Sequence, residues 1–489
     1  MSTPQPSRIP AIAGVAQIVQ RPGDRPLTDA RGAIELMVDA VRAAGEDAGV
    51  PALVERAQLV ASVGGWFHYK NPGQLVAEQL GIPDAHTMFS GISGTTPQDM
   101  VGIAAQRVAA GEIDVALVIG GEARWSHARM KRDDIEPTWI SDPGDREPEM
   151  IAAFAPEMIT EMRAFGGAPA PYAVFEDRLR VSAGRTIEEQ RDHIAALWAH
   201  FSEVAAQNPY AWDRRPHTAE EIRTATPDNR MIAFPYTKAM VANNTVDMAT
   251  AIIVCSAEVA ASAGVSSDRL VFPQVVTNAH ETWLVAARRE LDQSPALAGA
   301  ARRAFSHTGL GIDDIEHIDL YACFPSMVQL SAGALGIGPD RPLTITGGLG
   351  FAAAPIGNSV GHSICAMVER VRDGGLGLVH GNGGSATKQS FAIYSTRPAE
   401  AFAKIDVQDE VDLEPREVLA EDWSGSVTVE AATVLFDREG PSHVLAAVLD
   451  GSGARGWAQC RDTGAIETAM TEGLVGSTGV RDASGGLSL

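Results

Sequence analysis

The sequence predicts an α/β protein of two similar halves, with a loop domain inserted in the first and a small all-β domain after the second. Three observations predict it. Strand-like apolar stretches alternate with amphipathic helical ones as far as Ser395, one order of motifs occurs twice, and beyond Ser395 the pattern turns to strand-like alternation. At 489 residues the chain is also too long for one compact core.

The elements follow in order. Ile9–Val19 is a β-rich apolar stretch ending in a turn at Pro22-Gly23, and Arg31–Ala48 is an amphipathic helix closed by Gly49. Ala57–Val63 reads as a strand before Gly64-Gly65. Thr87–Phe89 enters the small-residue turn Ser90–Thr96, and a helix over Pro97–Ala110 follows, with proline in its first turn where the missing N–H is harmless. Gly111 ends it, and the strand Val115–Ile119 leads into Gly120-Gly121. The second half repeats the layout. Helix Pro295–Ser306, strand Ile315–Tyr321, the apolar element Leu343–Ile345, the turn Thr346–Gly350, helix Asn358–Val371 and strand Leu376–His380 succeed one another. An offset of about 260 residues is far longer than a solenoid period and indicates a duplicated domain. Each half should therefore form a mostly parallel or mixed sheet covered by helices.

Between the halves, Glu122–Asn244 is polar and irregular, with one good helix at Thr186–Asn208; it reads as a long insertion forming a cleft wall. An acidic linker, Asp406–Glu421, precedes the strands Gly425–Phe436, His443–Leu449 and Ala454–Cys460, the pattern of a small barrel or sandwich. The expected domains are residues 1–121 with 245–270 (first half), 122–244 (loop domain), 271–398 (second half), 399–421 (linker) and 422–489 (β-domain).

Composition excludes several functions. No apolar run reaches the roughly 18 residues a membrane helix needs, and the N-terminus lacks a secretory pattern. Four scattered cysteines, Cys255, Cys323, Cys365 and Cys460, have neither metal-site nor disulfide-scaffold spacing, which fits a reducing cytoplasm. The formal net charge of −23 opposes nucleic acid or anionic membrane as main partner, and an anionic ligand would need local positive groups or helix N-termini.

Several blocks carry a family resemblance. Met231–Lys238 followed by Ala242–Asp247 looks like a segment returning from a loop domain; Asp319–Pro325 looks like an HDCF or NEAF block; Thr346-Gly347-Gly348-Leu349 and Gly381-Asn382-Gly383-Gly384 look like paired glycine-rich motifs. Over about residues 8 to 395 this order resembles the thiolase superfamily, and within it the bacterial thiolase-like proteins of type 1. These are related to the sterol-carrier-protein thiolases and are often labelled acetyl-CoA acetyltransferases. The C-terminal segment resembles the oligonucleotide-binding-like domain some of them carry. The resemblance implies a duplicated thiolase fold of two βαβαβαββ halves in αβαβα layers, and CoA or an acyl-CoA as the ligand class.

Thiolase chemistry needs a Cys nucleophile at a helix N-terminus, a His in a GHP motif, an Asn or His in the NEAF or HDCF block, and a second Cys in a CxG motif. Counting back from Gly111 places the nucleophile position at Gly94, and the glycine-rich motif places the GHP histidine at Ala354. The NEAF position becomes Tyr321 and the CxG cysteine becomes His380. All four are altered, so Claisen chemistry through a Cys acyl-enzyme is not expected.

What remains has two readings at each position. Gly94 and Thr95 before a helix could cradle a thioester oxygen, or form a plain strand-to-helix turn. Tyr321 could act as an acid and His380 as a base, or both could be core fillers with satisfied polar atoms. Asn243 and Asn244, with the backbone of Gly348, Gly383 and Gly384, are substrate-contact candidates or turn residues. Lys238 and Lys388 are possible phosphate neighbours; Cys323 and His362 read as structural. Two functions follow. One is Cys-independent retro-aldol cleavage of a 3-hydroxyacyl-CoA by Tyr321 and His380. The alternative is non-catalytic acyl-CoA binding or complex scaffolding. The expectation is no metal or cofactor beyond the CoA thioester as ligand, no membrane, and a homodimer or monomer, with a partner protein in a lipid or sterol pathway. Single-strand nucleic-acid binding is disfavoured, because Arg438, Arg455 and Trp457 stand against several acids.

Overall fold

The computed structural model describes residues 8–151, 154–338, 340–419 and 423–489, so the expected boundary at 421–422 lies outside the described residues. The first-half sheet has six strands in the order Pro10–Val19, Asp247–Ser256, Val115–Ala123, Leu59–Ser62, His86–Ser90 and Glu149–Ile151. The second-half sheet has five, in the order His317–Asp319, Leu376–Gly383, Lys388–Ser395, Phe272–His280 and Ala403–Asp406. Helices Thr96–Ala110 and Ser359–Arg372 lie between the two sheets, where Met100, Val101, Ile364 and Val368 share one buried cluster with Ile252, Val254, Val379 and Ala392. Helix Ala33–Asp47 covers the outer face of the first sheet, and Pro295–Thr308 that of the second. This is the layered, duplicated α/β arrangement expected. Among the described residues no helix is long and apolar enough to cross a membrane.

Four differences have physical causes. Leu343–Ile345 makes no ladder; the Asp319 carboxylate accepts from the Ile345 and Thr346 amides at 2.9 and 3.1 Å and holds the segment in place of a strand partner. The insertion carries several α-helices and not one, with Arg124–Arg132, Pro156–Ala164, Pro169–Ser182 and Ala219–Arg223 beside Ile187–Gln207. Pro169–Ser182 is a core helix whose polarity hid it, because Glu176 and Asp177 are buried in hydrogen bonds and an ion pair with Arg180. Part of the expected linker belongs to the second half, since Ala403–Asp406 pairs in parallel with Val275–Asn278. Finally, Glu149–Ile151 of the insertion pairs with Met88–Ser90 and covers the edge of the first sheet. Arg107 clamps it through both Glu149 oxygens at 2.7 and 2.8 Å.

The three C-terminal strands form as read, joined by Thr478–Arg481 and Leu487–Ser488 and a helix at Thr463–Thr471. A bridge between Gln459 and Gly486 brings the two ends of this sheet together, so the domain is a small barrel. It is docked onto the body. Arg455, 1% exposed, pairs with Glu430 and donates to the Ala286 and Arg289 carbonyls at 3.1 and 3.0 Å. Trp457 meets Phe165 edge-on at 4.6 Å and donates to Glu161.

Candidate functional site

The residues expected to replace a thiolase centre do come together, and they are packed tightly. Gly94 precedes helix Thr96–Ala110, and a Cβ there would collide with the Asn382 carbonyl oxygen and lie 2.7 Å from Tyr321 Cζ. The phenol of Tyr321 thus occupies the space into which a side chain at position 94 would project. It lies within hydrogen-bonding reach of Ser359, and burial raises its pKa well above the ordinary phenol value. Proton donation from it is correspondingly harder.

His380 is 1% exposed and stacks on Phe391 at 4.8 Å. The Tyr321 backbone N–H donates to its Nδ1 at 3.3 Å, which leaves the proton on Nε2, donated to Gln389 Oε1 at 2.9 Å. Burial pushes its pKa down to about 4. A base needs a free lone pair facing its substrate, and both ring nitrogens are engaged with protein. The geometry puts His380 in the core with both ring nitrogens engaged.

The two glycine-rich loops serve close packing. A Cβ on Gly347, at φ +98°, would meet the Ala205 backbone, and one on Gly348 would lie 2.7 Å from Phe201; both residues belong to helix Ile187–Gln207. Gly348 is therefore packed against that helix. Gly383 and Gly384 are roofed by Phe154 and Met158. Tyr172, absent from the sequence-level candidates, donates to the Gly384 carbonyl at 2.7 Å and accepts from Asn382 Nδ2 and the Ala386 amide, each at 2.9 Å. All three covering side chains come from the insertion. Of these, only Tyr172 lies on the helix Pro169–Ser182 that polarity masked. Thr95 is fully buried, its hydroxyl 3.1 Å from that of Ser93, while Asp99 occupies the first turn of the same helix. That carboxyl faces Lys404 at 3.9 Å. Ala354 donates its amide to the Asn243 carbonyl at 2.8 Å. Among the described residues no group of three His, Cys, Asp or Glu is placed to hold a metal.

Asn243 and Asn244 face a different space. They line a cavity of about 1220 Å³ in the loop domain, with Trp125, Trp212, Phe351 and Lys238. Asn244 accepts from Arg124 at 3.2 Å, and the Arg124 guanidinium stacks 3.3 Å over Trp66, which is half exposed. Lys238 is exposed at the rim. The cavity also holds Asp213, Arg215 and His217, a cluster that sequence reading left aside although Asp213 and His217 stand four residues apart.

Comparison with known proteins fits this architecture. Residues 406–483 match the family described as the thiolase-like protein type 1 additional C-terminal domain. The structure of a monomeric SCP2-thiolase like protein type 1 from Mycobacterium smegmatis superposes with TM-score 0.83 and 29% identity, covering 99% of both chains. The Ltp2-ChsH2(DUF35) aldolase shares the fold at TM-score 0.60 and 20% identity, covering 80% of this chain and 99% of that one. Sterol carrier protein 2 of Rattus norvegicus is 26% identical over 182 residues, 36% of this chain; the match spans about a third (32%) of that relative's length.

Proposed function

We propose that this chain, whose residues 406–483 match the additional C-terminal domain of thiolase-like proteins of type 1 and which superposes over 99% of its length on a protein of that kind, binds CoA thioesters without performing thiolase or C–C lyase chemistry at the positions of the thiolase centre. The observation that carries the proposal is the contrast at Gly94, where the position of a nucleophile is filled by Tyr321 and the Asn382 carbonyl. The retro-aldol reading needs a base, and His380 has no free lone pair. The ligand's proposed place is the cavity beside Asn243 and Asn244, where Lys238 and Arg215 are the cations available to a CoA phosphate, against Asp213, Glu220, Glu221 and Asp228 in the same lining. Burial of a drug-sized or larger ligand requires some hundreds of Å³, which about 1220 Å³ provides.

In the proposed state the protein is a cytoplasmic monomer. The insertion's strand at Glu149–Ile151 covers the edge through which the halves of two chains would otherwise pair. The barrel forms a fixed wall beside the loop domain, through Trp457 against Phe165 and Glu161. Calorimetric titration with CoA and a panel of acyl- and 3-hydroxyacyl-CoA thioesters, with C–C cleavage assayed in the same mixtures, tests the reading. Binding without cleavage supports it. Cleavage that disappears in Tyr321→Phe would reinstate the lyase, and absence of binding would remove the ligand class altogether.

A further inference from the structure

Within the large cavity the geometry points to a second chemical centre, unrelated to the thiolase positions: we propose that His217, oriented by Asp213, is a general base for hydrolysis of the thioester bound there. The inference rests on the CoA-thioester reading and adds an activity to it.

The imidazole is held on every side. Its Nε2 lies 2.8 Å from Asp213 Oδ2 and its Nδ1 lies 2.7 Å from an Arg215 nitrogen. Arginine only donates, so Nδ1 is the acceptor and Nε2 carries the proton given to Asp213. The carboxylate is itself fixed, because its other oxygen accepts the Arg215 amide at 2.9 Å and the Asp213 amide donates to the Phe351 carbonyl at 3.0 Å. The ring lies against Phe351 with centroids 5.3 Å apart, and the His217 amide donates to Ser202 Oγ at 2.9 Å. A base with one tautomer, a carboxylate behind it and a fixed ring plane is what general-base catalysis asks of a histidine. Here it faces about 1220 Å³ of space. The side chain of His217 is 14% exposed, whereas Arg215, which covers Nδ1, is 59% exposed and also paired to Glu221 at 2.8 Å. Arg215 is thus a movable cover. A ligand phosphate drawing it away uncovers the lone pair.

The step balances without any further reagent. Nδ1 takes a proton from water as the water oxygen bonds to the thioester carbonyl carbon. The C–S bond breaks as the tetrahedral intermediate collapses, and the thiolate leaving group takes the proton from Nδ1. The products are the carboxylic acid and CoA thiol.

The test follows thiol release from an acyl-CoA by the full chain, with calorimetric binding of the same thioester measured alongside and thermal melting as the check on folding. The expected result is turnover that falls at least about 100-fold in His217→Gln with binding retained. Asp213→Asn should lower kcat with KM unchanged, the pattern of a positioning residue, and Arg215→Ala should raise turnover of a thioester that carries no phosphate, with which the wild-type Arg215 stays over Nδ1. A wild type that binds the thioester but releases no thiol above buffer, or a His217→Gln variant as fast as wild type, overturns the assignment. An Arg215→Ala variant no faster than wild type on that phosphate-free thioester overturns the covering role. No binding in any variant overturns the ligand reading and this centre with it.

Discussion

Two regions of this molecule are bounded by the same insertion and have opposite contents. Around Gly94, Tyr321 and Gly383-Gly384, the insertion contributes Phe154, Met158 and Tyr172, and the space is filled. Around Trp125, Trp212 and His217, it contributes a rim and leaves about 1220 Å³ open. The residues at the expected thiolase positions are closely packed, and the open volume lies elsewhere. A site should therefore be located by where a ligand has room and where a polar side chain has an unused valence, not by where an ancestral motif falls.

The sharpest way to break this comparison is to put a thiol at position 94. Gly94→Cys forces a side chain onto the Asn382 carbonyl oxygen and the Tyr321 ring, so overpacking should cost about 3 kcal/mol or more in urea unfolding. Adding Tyr321→Asn should recover a substantial part, giving a favourable coupling between the two positions. A stable Gly94→Cys single variant with an alkylatable thiol would mean that the site is open.

The next effect reads His380 through pH. Its folded pKa, about 4, lies below the unfolded value near 6.5. Between these values the unfolded chain binds more protons, so stability is full above pH 6.5 and is lost as pH falls towards 4. The loss through this group is on the order of 3 kcal/mol as an upper bound. His380→Asn should flatten the stability profile in that window, with His362, pushed down to about 3 by the same burial, supplying the remaining slope. An unchanged slope would place His380 at a solvated, ligand-facing position.

Much of the fold was legible because its signals are local. Gly111 at φ +73° ends helix Thr96–Ala110, and Gly425–Phe436 forms over the same residues its alternation indicated. The coming together of Gly94, Tyr321 and His380 was legible too, through the order of motifs. Their packing was not, because it depends on residues far away in sequence. Tyr172 reaches Gly384 across more than two hundred positions, and its helix looked like loop because Glu176 and Asp177 spend their charge on partners that no window of sequence contains. The three-residue edge strand at Glu149 is likewise too short to carry periodicity. Asp213 and His217 looked like polar loop because nothing in a polar stretch distinguishes a solvated histidine from one backed by a carboxylate.

Tyr172 gives a smaller test of the filled region. Tyr172→Phe keeps the ring on Phe324, 4.4 Å away, and strands the Gly384 carbonyl, the Asn382 amide and the Ala386 N–H. Leaving such buried groups unpaired should cost about 2 kcal/mol, measured as a shift in urea midpoint at constant slope. A cost near zero would mean that water reaches the loop and that the roof is loose.

The open region should answer in the opposite sense. Lys238 is exposed at the cavity rim and makes only a long, 3.5 Å contact to the Asp228 carbonyl. Lys238→Ala should therefore leave folding stability within about 0.5 kcal/mol, since its side chain supports nothing in the core. The same change removes a positive charge from the rim of a strongly acidic chain, and one charge-assisted contact to a phosphate is worth about 1.5–3 kcal/mol. CoA affinity should fall about tenfold or more by calorimetry, and the loss should shrink at high salt as the contact is screened. Destabilisation without a change in CoA affinity would reverse the roles of the two regions, making the cavity structural and sending the search for the ligand elsewhere.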